Sequence, residues 1–438
     1  MSSLSVIMIV KNESAVLADC LRSVAGIADE IVVGDTGSTD NTAAVAAQFG
    51  ARVHTIPWTD DFAAARNETI RLAWGTWLLH MDADEVLDPA GAAEIREIVA
   101  SDTTSDAVEV ILANYCNDMR AWRWVAAAPD SPSARGYAGY LPVGLLRLFR
   151  NHRGIVYREA VHENITASVE AIAGRVRPSS ILIHHYGYEG DPARRAQKSR
   201  FYLDLARRKA LATPGDVKAL HDLAEQALGC GQEQEAESAC WRALSIQQDH
   251  VGAATTLANI HLNRGEIDVA YDILHHLEQA GHSHPHIQSA LGAIAVQRGE
   301  WVEAEARLTG VRAAHPPAPV ATLYLARALD YRGEGEAARE LLGELARTVP
   351  GLDEPRRRIR AIELRWEGER VFALGDKEGA LKCLVAALHE DREDALAHNN
   401  TGVVLHALGQ WDHARDSFLR ALQLAPNLSE ARQNLEDC

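Results

Sequence analysis

The sequence predicts an α/β domain with a mostly parallel sheet, followed by an all-α solenoid of stacked helix pairs. Three observations predict it. Over the first 190 residues, short β-rich apolar runs alternate with stretches of helical spacing, the pattern of β-α-β units. From residue 217 on, small residues and glycines recur every 34 positions. The 438 residues are 47% hydrophobic, enough for two or three separate cores.

Taken in order, LSVIMIV (4–10) reads as the first strand, 13–24 as a helix, and EIVVGD (30–35) as a strand ending in an acid. Residues 40–49 read as a helix that Ser38 or Thr39 could cap, ARVHTI (51–56) as a strand, 62–74 as a helix and TWLLHM (76–81) as a fourth strand. AVEVILANY (107–115), GLLRLFR (144–150) and ILIHHYG (181–187) are later strands, separated in part by an irregular stretch with Trp122, Trp124, Pro129 and Pro132. In sheets of this kind ligands bind beyond the carboxyl ends of the strands. Asp35 and Asp82 both fall at that edge. The turn in WLLHMDADEVLDP (77–89) adds Asp84 and Glu85. Like charges so close repel and are costly to bury unpaired. The turn is therefore either solvated or met by something positive, and a hard divalent cation is one physical answer.

DPARRAQKSRFYLDLARRKALATPGD (191–216) reads as a basic, amphipathic connecting helix with solvated charges, stopped at Pro214-Gly215. The 34-residue frame then gives 217–250, 251–284, 285–318 and 319–352, is broken by DEPRRRIR (353–360), and resumes as 361–394 and 395–428. Position eight is Ala224, Ala258, Gly292, Ala326, Gly368 and Gly402; position twenty is alanine in all six copies, from Ala236 to Ala414. Position fifteen is Gly231, Gly265, Gly299, Gly333, Gly375 and Gly409. Small residues let antiparallel helices approach, and glycine turns the chain between them. The pattern resembles the tetratricopeptide repeat. Residues 429–438 begin a polar cap, and His282, His284 and His286, around Pro285, read as a solvated loop between repeats.

The net charge of −17 argues against a nucleic-acid partner. None of the six cysteines forms a C-x-x-C pair, so free thiols in a reducing, cytoplasmic compartment are the simplest expectation. The start, MSSLSVIMIVKNES, lacks a basic leader and a small-residue cleavage site and reads as a strand. No apolar run is long enough to span a bilayer.

IMIVKNE (7–13), EIVVGDTGSTDNT (30–42), WTDDFAAARNETI (58–70) and GTWLLHMDADEVL (75–87) together resemble a family 2 glycosyltransferase of the Rossmann-like GT-A fold. The W-x-x-D-F-x-x-x-R-N block is similar to a branch that includes lipopolysaccharide-core glucosyltransferases and bacteriocin peptide S-glycosyltransferases. Neither a G-x-G-x-x-G fingerprint nor a G-x-x-x-x-G-K-[ST] loop is present. The resemblance implies a glycosyltransferase domain over 1–190, the connecting helix 191–216 and a repeat domain over 217–438. It implies that Asp35 meets the base and ribose of a nucleotide sugar, with Lys11, Asn12 and Glu13 at the base. Arg66 and Asn67 lie near the nucleotide or the acidic turn, Asp82 meets the ribose and the metal-bound phosphate, and Asp84 ligates the metal, Mn²⁺ or Mg²⁺. Glu85 either supports those ligands or is exposed. Of His184 and His185, which face opposite ways along a strand, His185 is the one expected to complete the metal shell. Glu163 is expected as the general base, with His162 as the alternative.

The expected activity is metal-dependent, inverting hexosyl transfer from a UDP-sugar to a peptide or protein Ser/Thr hydroxyl or Cys thiol held by the repeats. Transfer to a saccharide or lipid-linked glycan is the alternative, and a non-catalytic repeat scaffold the alternative of another class. Repeats and an acidic surface are compatible with a homodimer.

Overall fold

A computed structural model describes residues 2–119, 123–128, 131–160, 163–187, 192–314 and 316–438, with side chains from 196 on in the helix that starts at 192. Expectations for Trp122, Pro129 and His162 lie outside the described residues. The chain divides into two compact units, Met1–Asp118 with Ala127–Gln232, and Met119–Ala126 with Glu233–Cys438.

The strands are β1 (Leu4–Val10), β2 (Glu30–Asp35), β3 (Arg52–Thr55), β4 (Trp77–His80), β5 (Glu85–Leu87), β6 (Ala107–Cys116), β7 (Val125–Ala126), β8 (Gly139–Arg150) and β9 (Val176–His185). In the first unit the sheet runs β3-β2-β1-β4-β8-β6-β9-β5. The first four strands are parallel, as the alternation with helices requires. Beyond β4 the sheet is mixed: β8 is antiparallel to β4 and β6, and β5 to β9. Among the described residues no crossover α-helix lies between β6 and β8, and without one neighbouring strands run antiparallel.

Period-2 alternation sorts the central strands between two cores. Val6, Met8 and Val10 of β1, Val33 of β2, and Trp77 and Leu79 of β4 pack with Leu17, Leu21, Ile95 and Ile98 on one side. Ile7, Val32 and Leu78 from the same strands pack on the other side with Phe149, Tyr157 and Val169. Both faces are covered, which is why these strands read as nearly continuous apolar runs. The helices of this unit are α1 (Leu17–Val24), α2 (Thr42–Gln48), α3 (Phe62–Leu72), α4 (Pro89–Ser101), α5 (Thr166–Ala171), α6 (Pro192–Ala212) and α7 (Val217–Gly229). α1 and α2 start later than their spacing suggests. Ser38 and Thr39 do not cap α2: Asn12 N–H donates to Ser38 Oγ (3.0 Å), and Thr39 N–H donates to Asn12 Oδ1 (2.7 Å). They tie the loop after β1 to the loop after β2.

The second unit holds α8 (Glu233–Ile246), α9 (Val251–Asn263), α10 (Ile267–Gln279), α11 (Pro285–Arg298), α12 (Trp301–Ala314), α13 (Pro319–Tyr331) and α14 (Gly335–Thr348). It continues with α15 (Glu354–Ala373), α16 (Lys377–Glu390), α17 (Ala395–Ala407), α18 (Trp411–Leu424) and a short α19 (Ser429–Glu436). The six glycines at repeat position fifteen all have φ between 72° and 89°, a left-handed turn that only glycine enters without strain. A Cβ on Gly402 would lie 2.5 Å from the Phe418 ring, so the small position eight is a close helix approach. Residues 353–360 break the 34-residue frame by lengthening a helix: α15 runs unbroken from Glu354 into the fifth repeat. α7, the first helix of the expected first repeat, belongs to the first unit.

Candidate active site

The acid turn opens on a cleft of about 540 Å³ at the carboxyl ends of β1 and β4. Lys11, Asn12 and Glu13 line one part of it, Arg66, Asp82, Asp84 and His185 another, and Lys198, Phe201 and Tyr202 of α6 a third. The W-x-x-D-F-x-x-x-R-N block builds one wall. Asp61 caps α3 by accepting from Ala64 N–H (2.8 Å), a contact worth about 1 kcal/mol. Trp58 meets the ring of Phe62 edge-on at 4.8 Å. One turn further on, α3 delivers Arg66, which is 6% exposed.

Arg66 donates to Asp82 Oδ1 (2.9 Å) and to Glu163 Oε1 (2.6 Å). From β8, Arg147 donates to Asp82 Oδ2 (3.1 Å) and Glu85 Oε1 (3.2 Å). The positive charge facing Asp82 is thus two guanidinium groups of this chain. Burial alone would raise Asp82, but Arg66 and Arg147 outweigh it and hold the carboxyl well below its usual range. Burial pushes Glu85 up to about 7 against the pull of Arg147. Glu85 also accepts the N–H of Asp82 (2.7 Å), so it shapes the turn from inside and is not exposed. Between the two arginines lies His80, which burial and then both guanidinium groups hold well below its ordinary value, so the ring is neutral. Tyr157 Oη lies 2.6 Å from its Nδ1.

Asp84 stands apart from both arginines. The three-residue β5, too short to read from sequence, pairs Glu85 with His185 of β9. That register brings His185 Nε2 to 3.5 Å from Asp84 Oδ2. His185 Nδ1 is 2.6 Å from Asn114 Oδ1, which orients the ring. Against burial, His185 keeps Asp84 low and Asp84 raises His185. A Cβ on Gly187 would lie 2.5 Å from His185 Nε2 and 3.2 Å from Asp84 Oδ2, so glycine leaves the space around this pair open. No group of three His, Cys, Asp or Glu converges among the described residues. One carboxylate and one imidazole still fit a Mn²⁺ or Mg²⁺ ion that takes its remaining ligands from water and phosphate. Asp82, with an arginine on each oxygen, is poorly disposed to share that role.

The other expected site residues fall as follows. Asp35 Oδ1 accepts the N–H groups of Gly37 (3.0 Å) and Ser38 (2.7 Å), so it closes the turn after β2. Asn67 does not line the cleft; its amide bonds the backbone of Tyr157 at both ends (3.0 and 2.8 Å). Glu163 lies behind Arg66 and is not part of the lining. His184 turns the other way, toward Tyr115 Oη (3.1 Å) and Asp88. Residues 191–216 do more than connect. Tyr202 stacks on Phe62 at 5.7 Å and Arg208 bonds Asp60 (2.7 Å), so α6 packs on its own unit and its charges are partly committed. Sequence reasoning passed over Arg147, His80, Tyr157 and Lys198. The R-x-F of LLRLFR marked Arg147, and the Phe201-Tyr202 pair in a basic helix marked α6.

Residues 5–126 match the family model for glycosyl transferase family 2, and residues 367–429 match a tetratricopeptide-repeat model. A TPR repeat-containing protein of Synechococcus elongatus is 29% identical over 328 residues, covering 62% of this chain and 74% of the relative. An uncharacterized glycosyltransferase of Rickettsia felis is 40% identical over 101 residues, 23% of this chain and 35% of the relative. The prophage-derived glycosyltransferase SunS of Bacillus subtilis is 25% identical over 215 residues, 49% of this chain and 46% of the relative. The chain thus spans about a third of the rickettsial protein and under half of SunS.

Proposed function

On the premise that the chain joins a family 2 glycosyltransferase domain to tetratricopeptide repeats, we infer that it transfers a sugar from a UDP-sugar to a peptide or protein. The observation that carries this reading is the cleft, where Asp84 and His185 face each other at the strand ends beside Arg66. Lys11, Asn12, Glu13 and Asp35, at the ends of β1 and β2, take the nucleoside. Asp82 is held rigid by its two arginines and aligns the ribose and phosphate. Asn67 acts through the Tyr157 backbone and positions the segment leading to Glu163. Asp84 and His185 would hold a divalent cation, which would supply positive charge to the diphosphate leaving group. The acceptor hydroxyl or thiol gives its proton to a base as it attacks opposite the leaving group, so the anomeric configuration inverts; Glu163, held by Arg66 outside the cleft lining, would have to turn into the cleft to serve as that base. The repeats offer a stacked-helix surface of the kind that holds extended peptides.

The test is a donor screen on the full chain. UDP-, GDP- and dTDP-sugars are offered with and without Mn²⁺, to wild type and to Asp84→Ala. Metal-dependent binding or slow hydrolysis of one donor, abolished in D84A, is the expected result. Binding of no donor under any condition would overturn the transferase reading and leave the repeats as a docking scaffold.

A further inference from the structure

The family match ends at residue 126, yet the cleft does not. Part of its wall is α6. Among the described residues three Lys or Arg side chains line the cleft, Lys11, Arg66 and Lys198. Arg66 is bound to Asp82 and Glu163, so its charge is already balanced. Lys11 lies at the end of β1 beside Asn12 and Glu13. Lys198 is exposed, forms no ion pair among the described residues, and lines the same cleft as Asp84 and His185.

The sequence of α6 aims this lysine. Lys198, Phe201 and Tyr202 are spaced i, i+3 and i+4, which puts them on one helix face. Tyr202 stacks on Phe62 with planes 16° apart, and Phe201 lies 6.4 Å from Trp58. Phe62 and Trp58 belong to the segment that delivers Arg66, so the aromatic seam ties Lys198 to the wall opposite. A nucleoside diphosphate brings at least two negative charges. Asp84 already offsets part of any cation bound there, and Arg66 is neutralised, so the cleft needs one more positive group near the acid turn. A lysine is a compact point charge well suited to a phosphate oxygen.

We propose that Lys198 binds the terminal phosphate of a nucleoside diphosphate whose metal-bound side lies at Asp84 and His185, so that the donor site is completed by a helix outside the family match. The proposal rests on the transferase reading above and assigns one further binding residue to it.

The experiment is calorimetric titration of the full chain with UDP and with UMP, in Mn²⁺, for wild type, Lys198→Met and Lys198→Arg. UMP lacks the phosphate that Lys198 would meet. K198M is expected to lose roughly tenfold or more in UDP affinity while UMP affinity stays within about twofold, and K198R is expected to recover most of the loss. Lys198 is exposed, so an unchanged melting temperature is expected and separates this effect from misfolding. Equal weakening of UDP and UMP, or weakening of neither, overturns the role of Lys198 and leaves the transferase reading standing, because wild type still binds. A wild type that binds no nucleoside diphosphate overturns both.

Discussion

The two units each bury a cluster of arginines and carboxylates, and the two clusters do different things. In the first, Arg66 and Arg147 hold Asp82 and Glu85. In the second, Arg365 of α15, 2% exposed, donates to Asp330 of α13 (2.6 Å) and to Asp394 (3.1 Å), the cap of α17, while Arg327 reaches Asp391 (3.0 Å). Burial opposes the charge on Arg365, but Asp394 and Asp330 outweigh it and keep it protonated. The chemistry is the same. The surroundings are not: the first cluster borders a cleft of about 540 Å³, the second a void of about 20 Å³, room for roughly one water. The repeat cluster is a joint that locks the fourth, fifth and sixth repeats. The other is a wall, and beside it one acid, Asp84, is left facing the open space with His185. Buried charge alone does not mark a site; open volume with a side chain left to meet a ligand does.

Substitutions in each cluster test the contrast. The largest effect is expected at Asp84: Asp84→Ala should lower metal-dependent donor turnover roughly 1,000-fold or more while leaving the melting temperature of the first unit near wild type. Retained turnover would mean that the open pair is not the site. Next comes Arg147→Met, which leaves buried Glu85 without its cation and Asp82 with only Arg66. A loss of about 3–5 kcal/mol is expected, read by hydrogen exchange of β4 and β8, together with loss of donor binding. Arg365→Met should cost the repeats a similar amount, read in α13, α15 and α17, with donor affinity unchanged. If R365M weakened donor binding, the joint would have to act on the cleft and the contrast would fail.

Smaller still is Gly402→Ala, whose methyl presses on Phe418. Overpacking there is expected to cost about 1–3 kcal/mol in the sixth repeat, measured by urea denaturation of the second unit. The smallest effect is pH-dependent. Glu278 of α10 is bonded by Arg307 of α12 on both oxygens (2.5 and 3.1 Å), and that pairing lowers it from 4.5 to about 2. A depressed carboxylate stabilises the fold above its unfolded value near 4.5, and the contribution is lost as pH falls toward 2. The pair is partly exposed, so about 1 kcal/mol or less is expected. In Glu278→Gln the second unit should melt with a shallower dependence on pH between 4.5 and 2; an unchanged slope would assign the acid sensitivity elsewhere.

The repeats were legible almost residue by residue. A 34-residue period with glycine at position fifteen leaves one backbone solution, and all six glycines take it. The parallel strands β1, β2 and β4 were legible for the same reason: hydrophobic periodicity is a local property, and both faces of these strands are buried, while β3 at the sheet edge was marked by its β-rich composition. The position of the acid turn at a strand end was legible from the apolar run before it, and that only one of His184 and His185 can face the cleft followed from alternation along a strand. What answers the charge of Asp82 did not. Arg147 is 65 residues away, on a strand whose antiparallel pairing no local pattern announces. The pairing of β5 with β9, which brings Asp84 to His185, involves three residues and carries no periodicity. The seating of α6 depends on an aromatic seam between residues about 140 apart. The elements, the repeat frame and the candidate acids follow from spacing and backbone preference, which act over a few residues. Which charges meet and which acid stays open depend on contacts between segments far apart in the chain, and packing alone selects among them.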